Sequence, residues 1–196
     1  MITLNDYLLF FIELFLFYLV LKSIFFYRSF GINPVRFLNR KNKKEFFAWQ
    51  GMMLVLLSFG VLIVLEVMAY DIGFKLYFLE YYLFNFFGIL FTIIGFVMMV
   101  MAHQQMGEAW RMGIDEGQKT ILVSRGLYSI SRNPIYVALL LQAFGLVLLL
   151  KSIIALVLLF ILLLNVRGII SQEELFLERH FGISYKKYKE IVRRYV

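Results

Sequence analysis

Five long apolar runs dominate the chain, at 5–27, 47–70, 81–103, 134–150 and 153–167. A helix needs about 20 apolar residues to cross the hydrocarbon core of a bilayer, where every backbone polar group must be satisfied within the segment. The first three runs meet that length. The last two are shorter, and only Lys151-Ser152 separates them. Two residues cannot hold a soluble loop, so the spacing predicts a tight antiparallel hairpin. The expected fold is all-α: a polytopic membrane helical bundle of about five transmembrane helices, with a short fourth–fifth helix hairpin. Composition agrees, because 62% of the residues are hydrophobic and soluble domains sit near half. The expected organisation is one membrane domain over 1–196, with three N-terminal spans in 1–103 and the polar loop, hairpin and tail in 104–196.

Charge fixes an expected orientation. Of 20 Lys and Arg residues, seventeen fall in 28–45, 104–133 and 167–196, while Lys75 and Lys151 lie in the opposite connections. Lys22 can snorkel toward the basic side. By the positive-inside bias the basic side is cytoplasmic, which puts the N-terminus outside and the C-terminus in the cytosol. The net charge of +7 does not point to nucleic acid, since the basic residues form no long face and no nucleic-acid motif. Absence of cysteine excludes disulfides, thiolate metal sites and a cysteine nucleophile. The first run carries Asp6 and Glu13 and lacks a basic leader, so it is expected to be retained rather than cleaved as a signal.

Residues 173–181 continue the fifth helix or begin a short new one, ended by Gly182, a common C-cap residue. Beyond it Tyr188, Ile191, Val192 and Tyr195 recur at i, i+3, i+4 and i+7, opposite Lys186, Lys187, Lys189, Arg193 and Arg194. The pattern predicts a basic amphipathic C-terminal helix, suited to an anionic membrane surface or to packing on the cytoplasmic loop.

Chemistry concentrates at the ends of the hairpin. Ser131-Arg132-Asn133-Pro134-Ile135-Tyr136 leads into the fourth run and Glu173-Glu174 follows the fifth. An antiparallel hairpin brings Arg132 and the two carboxylates to one depth, where Arg132 can take an anionic group bidentately. Taken singly, Arg132 also reads as a positive-inside anchor and Glu173-Glu174 as a solvated helix face. Asn165 and Arg167 could join them, and His103 ends the third run on the same side. The 104–133 loop is the densest polar region and is long enough to be functional. Glu13 and Glu66 are intramembrane acids, which default to function, but both lie toward the outer side. Gln142 fits an interhelical hydrogen bond, and Met98-Met99-Val100-Met101 reads as packing or lipid-facing surface.

The order Met106-Gly-x-x-Trp110-Arg111, Gly126-x-Tyr128, Arg132-x-Pro134-x-Tyr136, Glu173-Glu174 and Phe181-Gly182-x-x-Tyr185-x-x-Tyr188 resembles the membrane methyltransferases that include isoprenylcysteine carboxyl methyltransferase and the phospholipid N-methyltransferases. The resemblance covers about residues 100–190. It implies an enzyme that takes S-adenosylmethionine from the cytosol and an amphiphilic substrate from the bilayer, with membrane lipids as its surroundings. It also implies Arg132, Glu173 and Glu174 as catalytic residues. His103, Trp110, Gly126, Tyr128, Asn133, Tyr136, Glu173 and Glu174 would bind the cofactor. The carboxyl methyltransferases usually carry histidine where this chain has Asn133, which points away from a prenylcysteine substrate.

Methyl transfer from a sulfonium is an in-line displacement that asks mainly for alignment and exclusion of water. Two other readings stand beside it. One is an NADPH-using membrane enzyme like the sterol reductases. The other is a non-catalytic transporter or scaffold resting on Glu13, Glu66 and Gln142, for which five spans without a repeat is an awkward plan.

Overall fold

The computed structural model describes residues 3–30, 43–68, 76, 82–107 and 121–196. They form six α-helices: α1 (Leu4–Phe30), α2 (Lys43–Val67), α3 (Tyr82–Met106), α4 (Pro134–Leu150), α5 (Ile153–Phe181) and α6 (Ile183–Ile191). Four of them, α1, α2, α3 and α5, are long and apolar enough to cross a membrane. The fifth apolar helix, α4, has 17 residues, about 25 Å at 1.5 Å per residue. The protein is an integral membrane helical bundle.

Local sequence sets the helix ends. Thr3 and Asp6 cap α1 reciprocally: Thr3 N and Oγ1 donate to Asp6 Oδ2 at 2.8 Å, and Asp6 N donates to Thr3 Oγ1 at 3.2 Å. That is a capping box, which satisfies amide groups left over at a helix start. Pro134 opens α4 at a position where its missing N–H costs nothing. The hairpin turns at Lys151, left-handed at φ 51°, and Ser152 caps α5 by accepting from Ile154 N.

Apolar attraction between helices is weak in lipid, so close approach of backbones matters more. The α3–α4 pair shows it. A Cβ on Gly145 would lie 2.7 Å from the Gly88 carbonyl, and one on Gly95 would lie 2.8 Å from the Ala138 carbonyl. Twelve of the 17 residues of α4 are buried, against the exposed Phe17, Leu54 and Phe160 of the outer helices. A helix apolar on every side belongs inside the bundle, so α4 is its central post and need not meet lipid along its length. Gln142, expected to bond between helices, donates to Met99 Sδ of α3 at 3.8 Å and to Ala138 O of its own helix at 3.2 Å.

The fifth apolar run does not end at 167. It continues as one 29-residue helix to Phe181, about 43 Å long against a core of about 30 Å. Its last turns therefore leave the apolar slab, and Gly182 at φ 54° ends it as the C-cap. The α6 register differs from the sequence expectation. Tyr185 and Tyr188 face inward with Val192, against Leu122, Leu177 and Phe181, while Ile191 is 83% exposed. The helix stops at Ile191, so the i+7 pattern through Tyr195 is never completed. Its apolar face packs on protein.

Candidate functional site

The hairpin geometry brings its two open ends together. Arg132 Nη2 lies 2.9 Å from Glu174 Oε1, and Arg132 Nε donates to the same oxygen at 3.2 Å. Glu174 also holds Arg194, whose Nη2 reaches Oε2 at 2.5 Å and whose Nε reaches Oε1 at 3.2 Å. One buried carboxylate is thus shared by two guanidinium groups. This hydrogen bonding to Glu174 raises the Arg194 pKa further.

The segment after α6 locks this cluster. Arg132 N donates to Arg193 O at 2.9 Å, in a one-residue parallel bridge between Ser131 and Arg193. Ser131 Oγ and Asn133 Nδ2 both donate to Arg194 O. Arg132 Nη1 donates to Lys189 O and Val192 O, each at 3.0 Å. Four of the five N–H groups of a guanidinium are therefore occupied. Among the described residues one N–H is left over, where bidentate capture of an anion would need two, and the four bonds make Arg132 chiefly a clamp.

Beside the clamp lies a cavity of about 220 Å³ with a mixed lining. Arg132, Asn133, Tyr136 and Glu173 give it polar groups; Phe15, Leu19, Met52 and Leu56 of α1 and α2 give it apolar ones. The two glutamates divide here. Glu173 lines the cavity and accepts from Tyr136 Oη at 2.7 Å. Glu174 is 4% exposed and is not part of the lining.

The remaining sequence candidates sort in the same way. His103 is buried and lines the cavity, with its Nδ1 2.7 Å from Tyr18 Oη and the two rings stacked. Tyr128 lines it too, donating to Met106 Sδ at 3.4 Å. Gly126 is a turn residue: it adopts φ 62°, and a Cβ there would lie 2.5 Å from the Gln105 side chain, whose Oε1 accepts from Leu127 N. Trp110 lies outside the described residues. Asn165 and Arg167 do not join the site. Asn165 packs on Gly51 of α2 and donates to Ile161 O, Arg167 is exposed, and neither lines the cavity. Glu13 is exposed on the side of α1, away from the cavity.

Arg194 and Tyr185 were not among the site residues expected from the sequence, although Tyr185 stands in the motif that carries the resemblance. Arg194 was indistinguishable from the other basic residues of the tail, because nothing in its spacing reports the tail's return to Arg132. Tyr185 sits three residues before Tyr188, and that i, i+3 pair was the available signal. Burial raises the phenol pKa values of Tyr128 and Tyr185, and that of Tyr188 to about 12. All three stay neutral near pH 7 and are not bases there.

The fold is an integral membrane helical bundle with a charged clamp at the mouth of its central hairpin, beside a cavity with both polar and apolar lining. The phospholipid methyltransferase family model matches residues 83–184, more than half of the 196-residue chain, and the chain belongs to that family. It is a membrane methyltransferase by that membership. No curated protein and no solved structure matches the chain.

Proposed function

We propose that the protein transfers a methyl group from S-adenosylmethionine, held at the basic end of the bundle facing the cytosol, to a lipophilic or amphiphilic acceptor drawn from the bilayer. The observation that carries this reading is the single cavity in which Glu173 and Arg132 share a lining with Phe15, Leu19, Met52 and Leu56. A polar nucleoside–amino acid needs the first set and a lipid chain the second.

The residues present suit that cofactor. Glu173 offers a carboxylate to an ammonium or to ribose hydroxyls, and Arg132 keeps one N–H for a carboxylate. When bound, S-adenosylmethionine supplies an electrophilic methyl on a sulfonium sulfur. The protein aligns and shields. Tyr136 Oη holds the Glu173 carboxylate in one orientation, and the Arg132–Glu174–Arg194 cluster fixes the backbone from which Tyr136 and Asn133 project. The apolar walls keep water from competing with the acceptor, and such positioning is worth several kcal/mol of the barrier. His103 lines the same cavity, its ring held against Tyr18.

The test is selective stabilisation of the detergent-solubilised protein. S-adenosylhomocysteine at about a hundred times its dissociation constant is expected to stabilise the folded state by about 2.7 kcal/mol. No shift with this ligand, together with a shift from NADPH, would replace this reading with the reductase one.

A further inference from the structure

Four tyrosines line the cavity, and three have their hydroxyls engaged. Tyr128 Oη donates to Met106 Sδ, Tyr136 Oη to Glu173 Oε1 and Tyr188 Oη to Tyr128 O. Tyr185 is the exception. It is 1% exposed and lines the same cavity, yet its Oη has no hydrogen-bond partner among the described residues. A buried phenol hydroxyl normally finds a partner, because leaving it unsatisfied forfeits its hydration for nothing. An orphan hydroxyl on the wall of a binding cavity is best explained by a partner that arrives with the ligand.

We infer that Tyr185 is a ligand-contacting residue whose hydroxyl hydrogen-bonds the nucleoside part of the methyl donor. Its surroundings narrow the choice of ligand part. Tyr185 sits on α6 and packs in a cluster with Tyr188, Val192, Leu122, Leu177 and Phe181 that includes no residue of α1 or α2. Nearby Glu174 is already held by Arg132 and Arg194, and its carboxylate is not the partner of the Tyr185 hydroxyl. Apolar and aromatic side chains with one neutral hydrogen-bonding group suit a heteroaromatic ring or its sugar. This inference rests on the proposed use of S-adenosylmethionine and adds a residue to it.

The test is Tyr185→Phe, read by S-adenosylhomocysteine binding and by the thermal midpoint of the ligand-free protein. Among the described residues the hydroxyl has no protein partner to lose, so the ligand-free midpoint is expected to stay level or rise, while Tyr188→Phe, which loses its bond to Tyr128 O, lowers it. The dissociation constant for S-adenosylhomocysteine is expected to rise about tenfold, the loss of one hydrogen bond, with KM for the lipid acceptor unchanged. A lowered ligand-free midpoint or a failure of Tyr185→Phe to fold would show a structural partner and overturn the inference. An unchanged dissociation constant would overturn it as well, and a raised KM for the acceptor alone would move the hydroxyl to the acceptor's subsite. Failure of the wild-type protein to bind S-adenosylhomocysteine is a different result, since it removes the methyl-donor reading itself.

Discussion

Arg132 and Glu174 stand 42 positions apart in the chain and meet at 2.9 Å, because α4 and α5 fold back on each other through the two residues Lys151 and Ser152. The pair closes the hairpin at its charged end. Glu174 shares its carboxylate with Arg194, so Glu174→Ala leaves two guanidinium groups facing each other without an anion. Removing one partner of a buried pair costs about 3–5 kcal/mol. Glu174→Ala is expected to lose that much stability, measured by unfolding in detergent, and Arg194→Ala less, because Arg194 is partly exposed and Arg132 remains on the carboxylate. Equal small effects for both would show that the clamp does not hold the fold.

Glu173 is expected to behave differently from its neighbour. It lines the cavity, so Glu173→Gln should leave the unfolding midpoint near that of the wild type. Loss of a hydrogen bond from a charged group costs about 1.5–3 kcal/mol. S-adenosylhomocysteine binding is therefore expected to weaken about tenfold to a hundredfold by titration. A destabilised variant with intact binding would reverse the roles given to the two glutamates.

Deleting 193–196 removes the Arg193 carbonyl that accepts from Arg132 N, and the Arg194 carbonyl that accepts from Ser131 and Asn133. The membrane helices should still assemble, since of the deleted residues only the partly buried Tyr195 packs against their core. Cofactor binding should be lost or strongly weakened. Circular dichroism with ligand titration separates the two effects.

The α3–α4 contact gives a packing prediction. Gly145→Val places side-chain atoms where a Cβ is already 2.7 Å from the Gly88 carbonyl, and overpacking of this kind costs about 1–3 kcal/mol. Gly168→Ala, with nothing within 4 Å of its Cβ, should leave stability unchanged or slightly higher. The comparison is made by thermal unfolding in one detergent.

Stability should also depend on alkali. Burial raises the Tyr188 phenol from 10.0 to about 12, so the folded state keeps its proton where the unfolded chain releases it. That contribution is complete below pH 10 and is lost as pH rises toward 12. The thermal midpoint is expected to be flat through neutrality and to fall above about pH 10, less steeply in Tyr188→Phe relative to its own neutral value.

Much of this was legible because lipid permits few arrangements. Runs of 15–25 apolar residues separated by Lys151-Ser152 force a hairpin, and a hairpin forces Arg132 toward Glu173 and Glu174. What depended on fine packing was not legible. Gly88, Gly95 and Gly145 looked scattered in the sequence, yet they set the α3–α4 approach. Which glutamate faces the cavity turns on about 100° of helix rotation between adjacent residues, which no pattern in the charged segment reports. The return of Arg193 and Arg194 to the start of α4 joins residues about 60 positions apart through main-chain groups, which carry no side-chain signature.

The most direct measurement is transfer of a labelled methyl group from S-adenosylmethionine into native membrane lipid by the purified, detergent-solubilised protein. Label is expected in the lipid-extractable fraction, reduced at least tenfold in Glu173→Gln under subsaturating donor. A folded wild-type sample that leaves the lipid fraction unlabelled, with no stabilisation by S-adenosylhomocysteine, would contradict the assignment of this cavity to methyl transfer.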